Sequence, residues 1–517
     1  MSHSASSRRA FLTRASLATF TVLTARRSPA VATREESVQI HPNVEIGMLR
    51  PELHGHFAEH LGTCIYGGLW VGTGSPVPNI NGFRKQAVEY LRELRIPVLR
   101  WPGGCFADDY HWRDGIGPVA KRPRRVNIHW GNYTEDNSFG THEFIALCRL
   151  IGAEPYLAGN LGSGTPQELR DWVEYCNYPS GSTLSGERAT NGSPEPFRVR
   201  YWGVGNENWG CGGNMTGGEY AAHYRRYSMY MREFGGTSPY LIACGPNGND
   251  VAWSRGFMDG LGSYRNVSGF AMHFYSGGRD TPTKFTVENM NEQLSSFARM
   301  EQAVVQQRAL LDGYDPQRKI GLLVDEWGVW DRMIPEEEKK YGRLWQQNTI
   351  RSAVAAALGL NVFHRHADKL VMCNIAQTVN VLHSLLLAYE GHCVRTPSYH
   401  AYGLLKPHRS KTAVRVESEG KSPLDLSVSA SKQENELVLT FVNPRHDTAL
   451  RVTASLNSVK AAGGSERILH AADWNEANTF DAPDRIVPRD HTVTVEGSRV
   501  RTELPPLSLA TAIIRLG

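Results

Sequence analysis

The 517-residue chain holds only eight cysteines, at 64, 105, 148, 176, 211, 244, 373 and 393, with no C-x-x-C pair and no regular spacing. That argues against a disulfide framework or a cysteine zinc site, and buried free thiols are expected, since several of these residues sit inside apolar runs. Long hydrophobic runs are missing too. None reaches the ~20 residues of a membrane span, and the nearest, residues 352–363, reads as a core helix. A surplus of one charge is also lacking. Lys+Arg 56 against Asp+Glu 52 gives +4, yet residues 1–32 carry five arginines (8, 9, 14, 26, 27) and no acid, so 51 basic residues face 52 acidic ones elsewhere. A near-neutral body has no basic stripe for nucleic acid. Neither nucleic acid nor membrane is expected as a partner. Three catalytic signatures are absent: no G-x-G-x-x-G opens a helix after the first strand, no G-x-S-x-G elbow presents a serine, and no H-E-x-x-H offers a metal site. The H-x-H pairs His54/His56 and His364/His366 are read as structural, and no metal or cofactor is expected.

The start of the chain reads as an address. Ser7-Arg8-Arg9-Ala10-Phe11-Leu12 resembles a twin-arginine export signal, a modestly apolar stretch runs from Ala15 to Ala25, and Ala30-Val31-Ala32 places small residues at a cleavage site. Residues 1–32 are therefore expected to be a signal segment that sends the protein to the periplasm or outside the cell.

A chain of this length exceeds one ordinary core, which stops growing near ~250–300 residues. From 50 to 404, eight β-rich runs alternate with helical patterns: Leu53–Ala58, Pro97–Trp101, Pro155–Asn160, Val199–Gly205, Tyr240–Gly245, Gly269–Tyr275, Ile320–Asp325 and Leu370–Ile375. Eight strands with helical crossovers over ~350 residues predict an α/β fold, a (β/α)₈ TIM barrel. A doubly wound open sheet is the alternative. After 405 the runs become short and alternating, as in Glu436–Asn443 and Arg499–Leu504, which predicts a C-terminal antiparallel β-sandwich over 405–517. Residues 38–49 are expected to add a strand to it.

In such a barrel the reactive groups sit where strands end. Two ends stand out: Tyr201-Trp202-Gly203-Val204-Gly205-Asn206-Glu207-Asn208-Trp209 on strand four, and Leu322-Leu323-Val324-Asp325-Glu326-Trp327 on strand seven. Two carboxyl groups facing across a pocket suit glycosidic cleavage, in which one protonates the leaving oxygen and the other attacks the anomeric carbon or activates water. The indoles Trp202, Trp209 and Trp327 are expected to limit hydration around both glutamates and to offer flat faces to sugar. Glu59, Arg100, His273, Tyr275 and Gln377 lie at other strand ends. Each alone is a weak signal, since His273 suits a satisfied core histidine and Gln377 suits a backbone cap. The enzymatic reading fails if the two carboxyl groups face separate cavities or if a buried arginine ties up either one.

With these residues in view, the sequence resembles glycoside hydrolase family 51, chiefly α-L-arabinofuranosidases. The likeness covers about residues 38–517 and rests on Phe57–Gly62 with Tyr66-Gly67-Gly68, Arg100–Gly104 with Asp114–Pro118, Gly205-Asn206-Glu207, His273-Phe274-Tyr275, Asp325-Glu326-Trp327 and Asn374–Asn380. It implies Glu207 as acid/base, Glu326 as nucleophile, Asn206 as the binder of the sugar 2-hydroxyl and Tyr275 as the phenol on the nucleophile. It also implies Glu59 and Gln377 as binders of arabinose hydroxyls, a retaining reaction on arabinose-containing polysaccharide or oligosaccharide, and a homo-oligomer, often a hexamer. Where many members place Asn, this chain has Cys105, a weak hydrogen-bonding group, and Trp101, Trp112 and Trp130 are extra indoles for an aglycone subsite. Endo-acting β-glucanases or xylan-active hydrolases of the same family, and a carbohydrate-binding protein without turnover, remain alternatives.

Overall fold

The computed structural model describes residues 32–264 and 266–517; the expected signal, save Ala32, lies outside them. Eight parallel strands close into a barrel: Gly55–Phe57, Val98–Trp101, Glu154–Gly159, Tyr201–Val204, Tyr240–Asn247, Gly269–Gly277, Gly321–Trp330 and Leu370–Ala376. All eight fall on the expected runs. Residues two apart on a strand face the same side, and this sets the interior in layers. The lower layer is apolar, with Val98, Tyr156, Tyr201, Ile242, Ala271, Leu323 and Met372. One step up, Val98 is followed by Arg100 and Met372 by Asn374, so the next layer is polar and lies just under the mouth.

Helices pack outside. Ile350–Arg365 spans the 352–363 run, and every residue from Ile350 to His364 is buried, so the longest apolar stretch is a core helix as expected. Among the described residues no helix is long and apolar enough to cross a membrane. The helix Val251–Leu261 was not anticipated. Its Gly256 and Gly260 lower its intrinsic propensity, yet they pack against Gly217, Gly218 and Ala221 of helix Gly217–Ser228. Close approach of two backbones is what those glycines allow, and a propensity argument reads it backwards.

The C-terminal sheet has ten strands in the order 489–491, 461–470, 508–516, 436–443, 427–433, 412–418, 32–48, 448–456, 499–504, 494–496. Its second and last strands lie against one another, so the sheet folds over a core that includes Val38, Leu439, Phe441, Leu450 and Val452. Strand Ala32–Met48 pairs antiparallel with Thr412–Ser418 and parallel with Thr448–Leu456. Among the described residues that parallel pair is the one departure from an antiparallel sandwich.

The junction between barrel and sandwich is built from buried histidines. His54 Nε2 lies 2.9 Å from His364 Nε2, His364 Nδ1 lies 3.1 Å from Ser429 Oγ, and His408 bonds Ser431 and Thr440. Burial, with Arg409 nearby, holds His54, His56 and His364 well below the ordinary histidine range, and burial with Lys411 brings His408 to about 3. These groups are neutral when folded but take up protons when unfolded as pH falls through ~6.5. The unfolded state then binds more protons, so stability decreases on acidification by up to about 1.4 kcal/mol per pH unit for each histidine. Urea midpoints measured from pH 7.5 down to 5 should fall more steeply below ~6.5 in the native protein than in a His408→Gln variant, and equal slopes would contradict the buried neutral cluster.

Candidate active site

The strand-four end turns sharply. Gly205 has φ +87° and Glu207, a residue with a Cβ, sits at φ +43°, a conformation that persists only where surrounding structure enforces it. Its carboxylate is held by His273, whose Nδ1 lies 2.9 Å from Glu207 Oε1 and 3.5 Å from Glu326 Oε2. Facing oxygens of Glu207 and Glu326 and the His273 nitrogen all lie within 4.8 Å of one another. The two carboxylates therefore face one another, close enough for both to reach a single sugar ring.

Strict alternation would send the adjacent carboxylates Asp325 and Glu326 to opposite faces of strand seven. A bulge prevents this. Val324 pairs with Met272 and Cys373, whereas Glu326 pairs with His273 and Trp327 with Ile375, so one extra residue is accommodated. Both side chains then point inward. Asp325 accepts from Tyr156 at 2.7 Å and from Asn374 at 2.8 Å. Glu326 accepts from Arg100 Nη1 at 2.7 Å on one oxygen and from the Tyr275 hydroxyl at 2.7 Å on the other.

Arg100 joins the polar layer to the site. It is fully buried, with Nε 3.2 Å from Asp325 and Nη2 2.5 Å from Asn206 Oδ1. This is the buried arginine on a strand-end carboxylate that the sequence reading treated as fatal, and the criterion itself was mistaken. A buried carboxylate stays anionic only with a countercharge, and Arg100 supplies it to Glu326 while leaving the opposite oxygen at Tyr275 and His273. Burial pushes the Glu326 carboxyl up, but His273 and Arg100 outweigh it and leave it below the ordinary glutamate range. Burial opposes the charged form of His273 as well, and Glu326 and Glu207 bring its net shift upward.

A third carboxylate, the buried Glu59, lies close enough to feel the Glu326 charge. Its Oε1 accepts from Phe106 N (3.1 Å) and Trp130 Nε1 (2.8 Å), and its Oε2 accepts from Gln377 Nε2 (2.9 Å). Burial, followed by the nearby Glu326 charge, raises Glu59 to about 8. Two buried polar atoms, Asn206 Nδ2 and Gln377 Oε1, have no hydrogen-bond partner among the described residues.

Several expectations need correction. Trp327 was expected at the sugar, but it points away from the barrel axis. The same bulge that turns Glu326 inward puts Trp327 on the outer face, fully buried against Phe363, Phe297 and Tyr402. Trp202 faces outward as well, where it packs on Trp172 and donates to the Val199 carbonyl. Trp209 is half-buried and donates to the Gly245 carbonyl. The expected indole jacket around both glutamates is therefore absent for Trp202 and Trp327. Trp101 and Trp112 are core too, the first donating to His60 and the second stacked on Trp172. Of the three extra indoles, Trp130 alone donates to one of the expected sugar-binding residues, Glu59.

Cys105 is not a free thiol: it is bonded to Cys211, and the other six cysteines are free and buried. The two bridge sulfurs lie 3.8 and 3.5 Å from Glu207 Oε2. Neither carries a proton, so these are van der Waals contacts. Sequence reasoning named Arg100 and Asp325 at strand ends but gave neither a role, and it missed Asp108. An arginine inside the apolar strand Val98-Leu99-Arg100-Trp101 was the available signal.

Two family profiles match the chain: "Alpha-L-arabinofuranosidase 1 domain" over residues 90–292 and "Alpha-L-arabinofuranosidase C-terminal domain" over 325–508. A relative from Bacteroides ovatus, described as an intracellular exo-alpha-L-arabinofuranosidase, is 40% identical over 93% of this chain and 96% of its own length. The chain belongs to the α-L-arabinofuranosidases of glycoside hydrolase family 51. The family 51 arabinofuranosidase of Xanthomonas axonopodis pv. citri superposes with a TM-score of 0.90 at 36% identity, covering 93% of this chain and all of that one. The Thermotoga maritima enzyme, solved as an arabinose complex, gives 0.84 at 30% identity with the same coverage. Family membership makes this a retaining glycosidase acting on arabinose-containing glycans, and the glucanase and non-catalytic alternatives are not favoured. The export expectation does not stand, because the Bacteroides ovatus relative is intracellular.

Proposed function

We propose that Glu326 is the nucleophile and Glu207 the acid/base in exo-release of terminal α-L-arabinofuranosyl residues. The observation that carries this reading is the close approach of the two carboxylates, with an oxygen of each glutamate within 4.8 Å of one of the other. Glu326 attacks C1 while Glu207 protonates the leaving oxygen; water then attacks the glycosyl-enzyme, gives up a proton to Glu207 and releases arabinose with its configuration retained. Arg100 and Tyr275 keep Glu326 charged and aimed. Asn206 Nδ2 and Gln377 Oε1 supply one donor and one acceptor for sugar hydroxyls, beside Glu59. A hexameric assembly belongs to the same proposal, and sedimentation of the full chain tests it. Proton NMR of the first-formed product from arabinose-decorated polymers should show the α-anomer before mutarotation, with arabinose as the released sugar. Initial β-anomer, or release of longer fragments, would overturn the assignment.

A further inference from the structure

We propose that Asp108 is a positioning residue that holds the acid/base loop in its active conformation, an inference that rests on the role given to Glu207. Asp108 lies in the turn Cys105–Asp109, just past the second barrel strand, and is 3% exposed. Its Oδ1 accepts from the backbone N–H groups of Leu161 (2.7 Å) and Gly162 (2.8 Å), beyond the third strand. Its Oδ2 accepts from Asn206 N (2.7 Å) and Asn208 Nδ2 (3.2 Å), beyond the fourth. One carboxylate thus takes four N–H bonds and pins the residues on both sides of Glu207 without touching Glu207 itself. Burial opposes the charge and lifts the Asp108 carboxyl to about 7, while the same four donors favour the carboxylate. Bonds to a charged acceptor are about twice as strong as neutral ones. The enforced backbone at Glu207 needs a restraint of this kind.

Two further features join the same segments. A Cβ at Gly212 would collide with Asp108 Oδ2 and the Asn206 carbonyl, so the chain returns directly over the carboxylate. Its neighbour Cys211 is bonded to Cys105, three residues before Asp108. The loop is therefore tied to the 105–109 turn at two points.

Asp108→Asn tests the idea, because an amide turned either way sets its NH₂ against N–H donors. With arabinobiose, whose leaving group needs protonation, kcat/KM should fall about tenfold or more, while kcat/KM on 2,4-dinitrophenyl arabinofuranoside, which reports the first step alone, falls less than about threefold. Equal losses on both substrates, or none on arabinobiose, would overturn the proposal. If Asp108→Asn does not fold, Asn208→Ala, which removes one of the four donors to Asp108, is measured instead: the same leaving-group split supports the proposal, and its absence refutes it. Glu207→Ala run in parallel separates the failures. A split in Glu207→Ala without one in Asp108→Asn sinks this inference alone, whereas no split in Glu207→Ala sinks the acid/base assignment.

Discussion

Glu326→Ala should abolish turnover, lowering kcat on nitrophenyl arabinofuranoside by about 10⁴-fold or more, equivalent to about 5.5 kcal/mol of transition-state stabilisation. The loss is this large because no other described group on the pocket wall is placed to form the bond to C1. Asp325 is adjacent in sequence, but its oxygens are engaged by Arg100, Tyr156 and Asn374 in the layer below. The variant should still fold, since Arg100 keeps Asp325 and Asn206 as partners and its charge is not left uncompensated. Azide added to Glu326→Ala should restore activity on an activated aryl arabinoside and yield the β-azide, the product of a single inversion. Residual activity above a few per cent without azide, in a folded protein, would remove Glu326 from the nucleophile's role.

The architecture was legible because strand-helix alternation is a local signal repeated eight times, and all eight strands fell where the apolar runs lay. The site was legible in part. Glu207 and Glu326 stand at strand ends that any barrel of this kind would use, and the family motifs marked Glu59, Asn206, Tyr275 and Gln377. What failed was the direction of side chains. The bulge at Asp325 reverses the face of Trp327, and a bulge leaves no trace in a hydrophobic pattern. Arg100 was visible as a charge in an apolar strand, yet its role depends on partners 106, 225 and 226 residues away in sequence, at Asn206, Asp325 and Glu326. Cys105 and Cys211 are likewise 106 residues apart, so only the closed barrel shows that they meet.

Glu207→Ala should separate substrates by their leaving groups. Protonation of the departing oxygen contributes about 10²–10⁴-fold where the leaving group is a sugar alkoxide, and arabinobiose hydrolysis should fall within that range. A dinitrophenolate departs without protonation, so glycosylation of Glu326 should proceed almost normally with that substrate. The second step still lacks its base, and the glycosyl-enzyme should accumulate, seen as a burst of phenolate followed by a slow steady state and a lowered KM. Azide needs no deprotonation, so it should accelerate the steady state and give the α-azide, with retention through two inversions. The opposite azide anomers from Glu207→Ala and Glu326→Ala assign the two carboxylates independently of any rate. If both variants gave the same anomer, or if Glu207→Ala lost kcat/KM equally on arabinobiose and the dinitrophenyl substrate, the division of labour between the two glutamates would be wrong even with their carboxylates facing one another.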